Sequence, residues 1–231
     1  MNYNHTYYTS PELYYQTKHS LISLANFNLT IEEIQDLDQC IDLQCKLLEQ
    51  SPIPEMKQQI MEDLCPYFAR VWDCAINLSQ WCYTKDELFK NKKILEVGAG
   101  LAIPSFILKH LGHEITATDY HPHAHYFAHK NQSLNKLYFP YFISSWKELI
   151  TNNAGYDIIL ASDILYEGRY IADLLQLTLN ILNDGGKVII CDPIRGYLQK
   201  FIDEASPFFK IQLDTIKTAT HENFLLLMER R

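Results

Sequence analysis

Two carboxylates and a phenol lie close together in residues 159–170, which read ILASDILYEGRY. The apolar run ends at Ser162, and Asp163, Tyr166 and Glu167 follow it. A carboxylate stabilises developing positive charge, and the face of an aromatic ring attracts a cation. We therefore predict Asp163, Tyr166 and Glu167 as catalytic residues of a reaction in which positive charge moves. The structural alternative is that Asp163 caps the next helix and Tyr166 packs in the core.

A glycine-containing turn provides a second candidate site. In LEVGAGLAIPS, Gly98 and Gly100 follow a predicted strand and precede a predicted helix, which lets a ligand approach the backbone closely. The dinucleotide fingerprint requires a third glycine at position 103, where this chain has Ile103. The turn alone is weak evidence for a ligand site, but the missing third glycine makes NAD a less favoured ligand.

Three further side chains are candidates for binding a nucleoside cofactor. Asp119 ends the next predicted strand, where a carboxylate can accept both ribose hydroxyls of NAD or of S-adenosylmethionine. Glu96 would crowd a pyrophosphate, but it can hold the ammonium group of a methionine moiety, and Trp146 can stack on adenine. A helix-capping Asp119 and a core Trp146 are the alternatives. Together the residues favour S-adenosylmethionine.

Strands and helices alternate after residue 92, and this order positions the candidate residues. KILEV, EITATD, YFPYFI, YDIILAS and KVIICD each precede a helical stretch, starting near residues 101, 122, 146, 168 and 196. FKIQLDTIK and FLLLMER then predict a terminal antiparallel hairpin. The predicted fold class is α/β, a doubly wound and mostly parallel seven-stranded sheet. Because ligands bind at the carboxyl ends of such strands, Asp163 should lie near the glycine turn.

The chain before this alternation is predicted to be an N-terminal helical extension, residues 1–90, that caps a core of residues 91–231. Thr30 and Glu33 match a capping box. The apolar residues behind them repeat at helical spacing: Ile31, Ile34, Leu37, Ile41, Cys45 and Leu48. SPIP at 51–54 should end this helix, and further helices are predicted over about 55–64 and from Pro66.

Composition narrows the class of protein. The 231 residues include 47% apolar residues, which suffices for a large core, and the net charge of −8 gives no basic footprint for nucleic acid. The six cysteines form no C-x-x-C pair, so we interpret them as reduced core residues. The chain shows neither a signal-peptide pattern nor a long apolar run. We expect a cytoplasmic protein that does not bind membranes or nucleic acid.

The pattern over residues 93–231 resembles the class I methyltransferases, which share E-x-G-x-G, an acidic residue after the second strand and a closing antiparallel pair. The resemblance implies strand order 3-2-1-4-5-7-6 and S-adenosylmethionine at the ends of strands one to four. It makes Glu96, Gly98, Gly100, Asp119 and Trp146 cofactor contacts.

A narrower resemblance rests on D-x-x-Y-E at 163–167 and on PYFARVW at 66–72. Both are similar to the lysine-directed seven-β-strand protein methyltransferases, although Phe68 and Asp73 replace a usual tryptophan and proline. We add Trp72 and Ser162 to the expected cofactor contacts, and we expect Trp72, Tyr67 and Phe68 to wall an apolar acceptor channel.

Three histidines at positions 121, 125 and 129 follow helical spacing, as a zinc site would. No Cys, Asp or Glu accompanies them locally, so we predict no metal and interpret the histidines as a titrating surface face.

The predicted function is N-methylation of a protein amine, most simply a lysine. The alternatives are methylation of a small nitrogenous molecule and a binding module that has lost turnover. RNA methylation is disfavoured, because Ile164 and Leu165 stand where base-directed enzymes usually carry two prolines.

Overall fold

The computed structural model of the chain describes residues 15–24, 26–49, 65–151, 154–193, 196–217 and 222–231. The strands in this part of the chain are β1 Thr17–Leu24, β2 Phe27–Ile34, β3 Ile94–Val97, β4 Ile115–Asp119, β5 Tyr141–Ile143, β6 Tyr156–Ser162, β7 Leu182–Pro193, β8 Phe209–Lys217 and β9 Glu222–Arg230. The α-helices are α1 Leu37–Glu49, α2 Asp73–Thr84, α3 Ile103–His110, α4 Ala124–Asn135, α5 Trp146–Thr151, α6 Ile171–Ile181 and α7 Gly196–Ala205. Short 3-10 helices cover Pro66–Ala69, Asp86–Phe89 and Gly168–Tyr170.

Seven strands form one sheet in the order β5-β4-β3-β6-β7-β9-β8. The pairs from β5 to β7 are parallel, whereas β9 runs antiparallel to both β7 and β8. This is the predicted order 3-2-1-4-5-7-6 when β3 is counted as the first strand. The fold-class prediction is therefore confirmed.

The central strands are buried on both faces, which explains their continuous apolar sequences. Alternate residues of a strand point to opposite faces, so Ile94 and Leu160 belong to one buried cluster while Leu95 and Ile159 belong to the other. Helices α2, α3 and α4 contribute residues to the first cluster, and α6 and α7 to the second. The sheet is thereby held between two helical layers.

The N-terminal prediction of a helix from residue 30 is wrong in its first turn. Residues 27–34 form β2, which pairs with β1 as an antiparallel hairpin outside the main sheet, and the helix begins only at Leu37. Glu33 thus lies on a strand, so the expected capping box with Thr30 does not form. The predicted helix over 55–64 lies outside the described residues.

The hairpin packs directly on the sheet-bearing part of the chain. Leu24, Leu29 and Ile31 are fully buried and belong to the same cluster as Ile94. The proposed boundary near residue 90 remains a prediction. Within the described residues, no helix has both the length and the hydropathy that a membrane span requires.

Candidate active site

A cavity of about 290 Å³ lies where the carboxyl ends of β3, β4 and β6 meet. Residues 65–75 contribute another part of its wall. The sequence-predicted residues that line it are Trp72, Gly98, Gly100, Asp119, Trp146, Ser162, Asp163 and Tyr166. The parallel sheet thus brings the glycine turn and the D-x-x-Y segment into one site, as the strand order requires.

The turn after β3 needs glycine for two reasons. Gly98 and Gly100 have φ values of +60° and +51°, in the left-handed region that side chains with a Cβ avoid. A Cβ on Gly98 would lie 2.9 Å from Ile164 Cγ2, and one on Gly100 would lie 2.7 Å from the carbonyl oxygen of Phe68. The absence of a Cβ therefore lets Ile164 and Phe68 pack tightly against the turn, and both glycines line the cavity.

Asp119 fixes the glycine turn from the neighbouring strand. Its Oδ2 accepts a hydrogen bond from the Gly100 N–H at 2.9 Å, and its Oδ1 accepts one from the His121 N–H at 2.9 Å. Burial raises the pKa of this carboxyl above its usual value. Each carboxylate oxygen has a second lone pair, so Asp119 can hold the turn and still accept hydroxyl groups of a ligand.

Glu96 lies beneath the turn and does not line the cavity. It is fully buried, and its Oε2 accepts hydrogen bonds from the N–H (2.9 Å) and the hydroxyl of Ser105 at the start of α3. Burial raises the pKa of Glu96 to about 8. Within the described residues its Oε1 has no hydrogen-bond partner. The predicted contact with an ammonium group stays a prediction.

Asp163 leaves β6 in an uncommon backbone conformation, with φ of 58°. Aspartate tolerates the left-handed region better than most residues, and such outliers cluster at functional sites. The conformation is held by two bonds from the neighbouring strand: Asp163 N–H donates to Cys191 O at 2.9 Å, and Leu165 N–H donates to Asp192 Oδ2 at 3.0 Å. Asp163 is thereby fixed at the cavity wall.

Five aromatic rings line the same cavity as Asp163 in an edge-to-face series. The ring centres are 6.4 Å apart for Trp72 and Tyr67, 6.1 Å for Tyr67 and Tyr166, 6.3 Å for Tyr166 and Tyr170, and 6.0 Å for Tyr170 and Trp146. All five line the cavity. Their faces favour a bound cation and exclude water from it.

The Tyr166 hydroxyl is further held by Tyr120, which follows Asp119 directly and hydrogen-bonds to Tyr166. Burial, together with the nearby carboxylates of Asp119 and Glu167, raises the pKa of Tyr166 to about 12. Tyr166 therefore stays protonated at neutral pH and serves as a neutral hydrogen-bonding group.

The wall that residues 65–75 contribute is shaped by contacts within residues 66–72. Trp72 Nε1 donates to the Tyr67 carbonyl at 2.9 Å, and the Arg70 guanidinium lies 5.1 Å from the centre of the Trp72 ring. Phe68 lies over the buried ring of His121, with ring centres 4.1 Å apart. Tyr67, Phe68 and Trp72 thus line the cavity, and their role as walls of an acceptor channel stays a prediction.

Glu167 and two of the three histidines do not line the cavity, whereas His121 does. Glu167 pairs with Arg169 and is absent from the cavity lining, so its catalytic role stays a prediction. His125 and His129 are exposed with their Nε2 atoms 2.9 Å apart, but His121 is buried. The interpretation of three histidines as one surface face is therefore wrong for His121.

Sequence reasoning missed Arg70, Tyr120 and Tyr170, which also line the cavity. Tyr120 had a usable signal, because it follows a strand end beside the glycine turn. Arg70 and Tyr170 carry no such signal, since their place depends on how the 65–75 segment and the start of α6 pack.

Comparison with known proteins assigns a family. Residues 53–212 match the sequence profile of a family described as "Lysine methyltransferase". Histone-arginine methyltransferase METTL23 of Xenopus laevis is 30% identical over 135 residues, 55% of this chain and 57% of that protein. A histidine protein methyltransferase 1 homolog of Dictyostelium discoideum is 24% identical over 161 residues, 64% of this chain and 52% of that protein. The chain thus spans little more than half the length of these relatives.

A solved structure shares the architecture. The T. thermophilus 16S rRNA N2 G1207 methyltransferase (RsmC), in complex with AdoMet and guanosine, matches with a TM-score of 0.64 at 15% identity, over 93% of this chain and 51% of that chain. At this identity the likeness shows the fold alone.

Proposed function

The chain belongs to the lysine methyltransferase family, and from this premise we propose that it methylates the side-chain amine of a lysine in a protein. The family assignment confirms the predicted methyltransferase class and the S-adenosylmethionine cofactor. The acceptor is our proposal. The observation that carries it is the Asp163 carboxylate, set among aromatic rings in the same cavity as the glycine turn.

The residues of the cavity fit the cofactor. Gly98 and Gly100 line the cavity with bare backbone, Asp119 is available for the ribose hydroxyls of the cofactor, and Trp146 offers a ring for its adenine. When bound, S-adenosylmethionine supplies a methyl group on a positively charged sulfur, which an amine nitrogen accepts by in-line displacement.

Asp163 acts on the acceptor nitrogen. A carboxylate directed at this atom orients the amine through its N–H groups and stabilises the positive charge that the nitrogen gains. The stabilisation is larger in the transition state than for the neutral amine, so it lowers the barrier. The rings of Tyr67 and Tyr166 add cation–π attraction to the same charge.

The aromatic walls also favour the neutral form of the acceptor amine. A lysine amine has an ordinary pKa of about 10.4, so it is charged at neutral pH and cannot attack. Asp163 favours the charged form, whereas removal from water favours the neutral form. The rings of Tyr67, Trp72, Tyr166 and Tyr170 supply the apolar surroundings that oppose the carboxylate.

The test begins with the acceptor. The purified chain is incubated with tritiated S-adenosylmethionine and a cell lysate, and labelled protein is hydrolysed for amino-acid analysis. We expect label in methyl-lysine. Label in methyl-arginine or methyl-histidine would refute the lysine assignment, and label confined to small molecules would replace the protein acceptor altogether.

The role of Asp163 is tested with Asp163→Asn, because asparagine also tolerates a positive φ and only the charge is removed. We expect turnover to fall by at least about a hundredfold, with cofactor affinity nearly unchanged. Asp203→Asn, which removes an exposed carboxylate on α7, is the charge-matched control. Wild-type turnover in Asp163→Asn would remove Asp163 from its role.

A further inference from the structure

Residue Glu33 of the N-terminal hairpin lies outside the family match of residues 53–212, yet it contacts the wall of the cavity. Its side chain is buried. Its Oε2 accepts a hydrogen bond from the Val71 N–H at 2.9 Å. Its Oε1 accepts one from the Ser20 hydroxyl and lies 3.7 Å from Lys18 Nζ. The hairpin thus supplies a fixed carboxylate to the chain segment that forms this wall of the cavity.

Val71 stands between two residues that line the cavity. Arg70 and Trp72 are both extended, with φ and ψ of −119° and 144° and of −104° and 145°. In extended backbone, alternate side chains point to opposite sides. Accordingly, Arg70 and Trp72 face the cavity, while Val71 packs against the buried core.

We propose that Glu33 is a positioning residue for the transfer reaction, because its bond to Val71 fixes the direction in which Arg70 and Trp72 enter the cavity. The inference rests on the proposed function. The Glu33 carboxylate accepts the Val71 N–H hydrogen bond that a neighbouring strand would otherwise accept. Without this acceptor, the backbone of residues 70–72 would favour other conformations.

The adjacent residue Glu32 is a matched control. It is also buried on β2, but its side chain points to the other face, where Oε1 lies 3.0 Å from Lys130 Nζ on α4. Loss of Glu32 loosens the hairpin without touching residues 70–72. Glu33→Gln retains an acceptor oxygen for Val71, whereas Glu33→Ala has none.

The first measurement is hydrogen exchange of the peptide that contains residues 67–72, which requires no activity. We expect faster exchange in Glu33→Ala than in wild type, Glu33→Gln and Glu32→Ala. The second is methyl transfer, for which we expect kcat/KM to fall about tenfold in Glu33→Ala and to stay within about twofold of wild type in Glu33→Gln and Glu32→Ala. In a Trp72→Ala background, Glu33→Ala should cause little further loss, because coupled residues are non-additive.

Unchanged exchange in Glu33→Ala would overturn the inference, and so would wild-type turnover in that variant or an equal loss in Glu32→Ala. Inactivity of the wild-type chain toward every acceptor would instead refute the proposed function. In that event the exchange comparison alone decides whether Glu33 holds the 70–72 segment.

Discussion

Gly100→Ala should destabilise the chain through two separable effects. The left-handed conformation at φ +51° costs a residue with a Cβ about 1–2 kcal/mol. The new Cβ would also lie 2.7 Å from the carbonyl oxygen and 3.3 Å from the Cα of Phe68. Both are backbone atoms that cannot rotate away, so overpacking adds about 1–3 kcal/mol. The expected loss in the free energy of unfolding is therefore about 2–5 kcal/mol.

Two other glycines separate these effects. Gly112 has φ of +91°, but an added Cβ would have nothing within 4 Å among the residues that the structure describes, so Gly112→Ala suffers the backbone cost alone, about 1–2 kcal/mol. Gly196 lacks a positive φ, and an added Cβ would meet nothing within 4 Å in the described part of the chain, so Gly196→Ala should be neutral or slightly stabilising. The expected order of stability is Gly196→Ala, then Gly112→Ala, then Gly100→Ala.

Thermal unfolding followed by circular dichroism measures this order. For a chain of this size each kcal/mol shifts Tm by about 2–4 °C, so Gly100→Ala should lower Tm by about 4–20 °C and Gly112→Ala by about 2–8 °C. A Gly100→Ala variant that melts at or above Gly112→Ala would refute the argument, because the contact with Phe68 would then cost nothing.

Three further perturbations follow from single contacts. The buried carboxyl of Glu96 has a pKa of about 8 in the folded state and an ordinary pKa near 4.5 in the unfolded state. Between these two pH values the unfolded state therefore binds fewer protons than the folded state. The free energy of unfolding of the wild type should fall as pH rises through this range, by up to about 1.4 kcal/mol per pH unit. Urea unfolding of Glu96→Gln should show a flatter profile, and parallel profiles would contradict the assignment. Asn131→Ala removes two side-chain bonds to the backbone of Glu32, at 2.7 and 3.1 Å, and should cost at least about 2 kcal/mol in urea unfolding, with residues 17–34 becoming more sensitive to proteolysis. Tyr120→Phe removes the hydroxyl bonded to Tyr166 and should lower turnover about threefold to tenfold; unchanged turnover would show that this bond does not matter.

The sheet was predictable because its evidence is local and repeated. Each central strand is an apolar run followed by an amphipathic stretch. Because strands that are buried on both faces have continuous apolar sequences, this pattern indicates a parallel sheet. The closeness of polar residues at strand ends, such as Asp119 and Asp163, could be predicted from the strand order. The Tyr67 and Trp72 wall was expected from the chemistry of the acceptor, which needs an apolar channel, since nothing in the local sequence says which face of the sheet these residues cover.

The hairpin was missed because residues 29–34 fit two periods. Ile31 and Ile34 match helical spacing, while Leu29 and Ile31 match a strand. The strand is favoured by partners that are distant in sequence. Asn135 of α4 bonds to the N–H and the carbonyl of Thr30, at 2.9 and 2.7 Å, and thus occupies the outer edge of β2. The catalytic role expected of Glu167 stays a prediction, because the structure shows only that its neighbour Arg169 pairs with this carboxylate.

Because β2 carries two adjacent glutamates that face opposite sides, the N-terminal hairpin is sensitive to whether an insertion adds an odd or an even number of residues. Glu32 faces α4 and Glu33 faces the 70–72 segment, so a change in length by one residue ahead of them would exchange their sides and break both attachments. A change by two residues would restore the facing. Natural variants and engineered fusions at this end of the chain should therefore tolerate even insertions into the hairpin far better than odd ones.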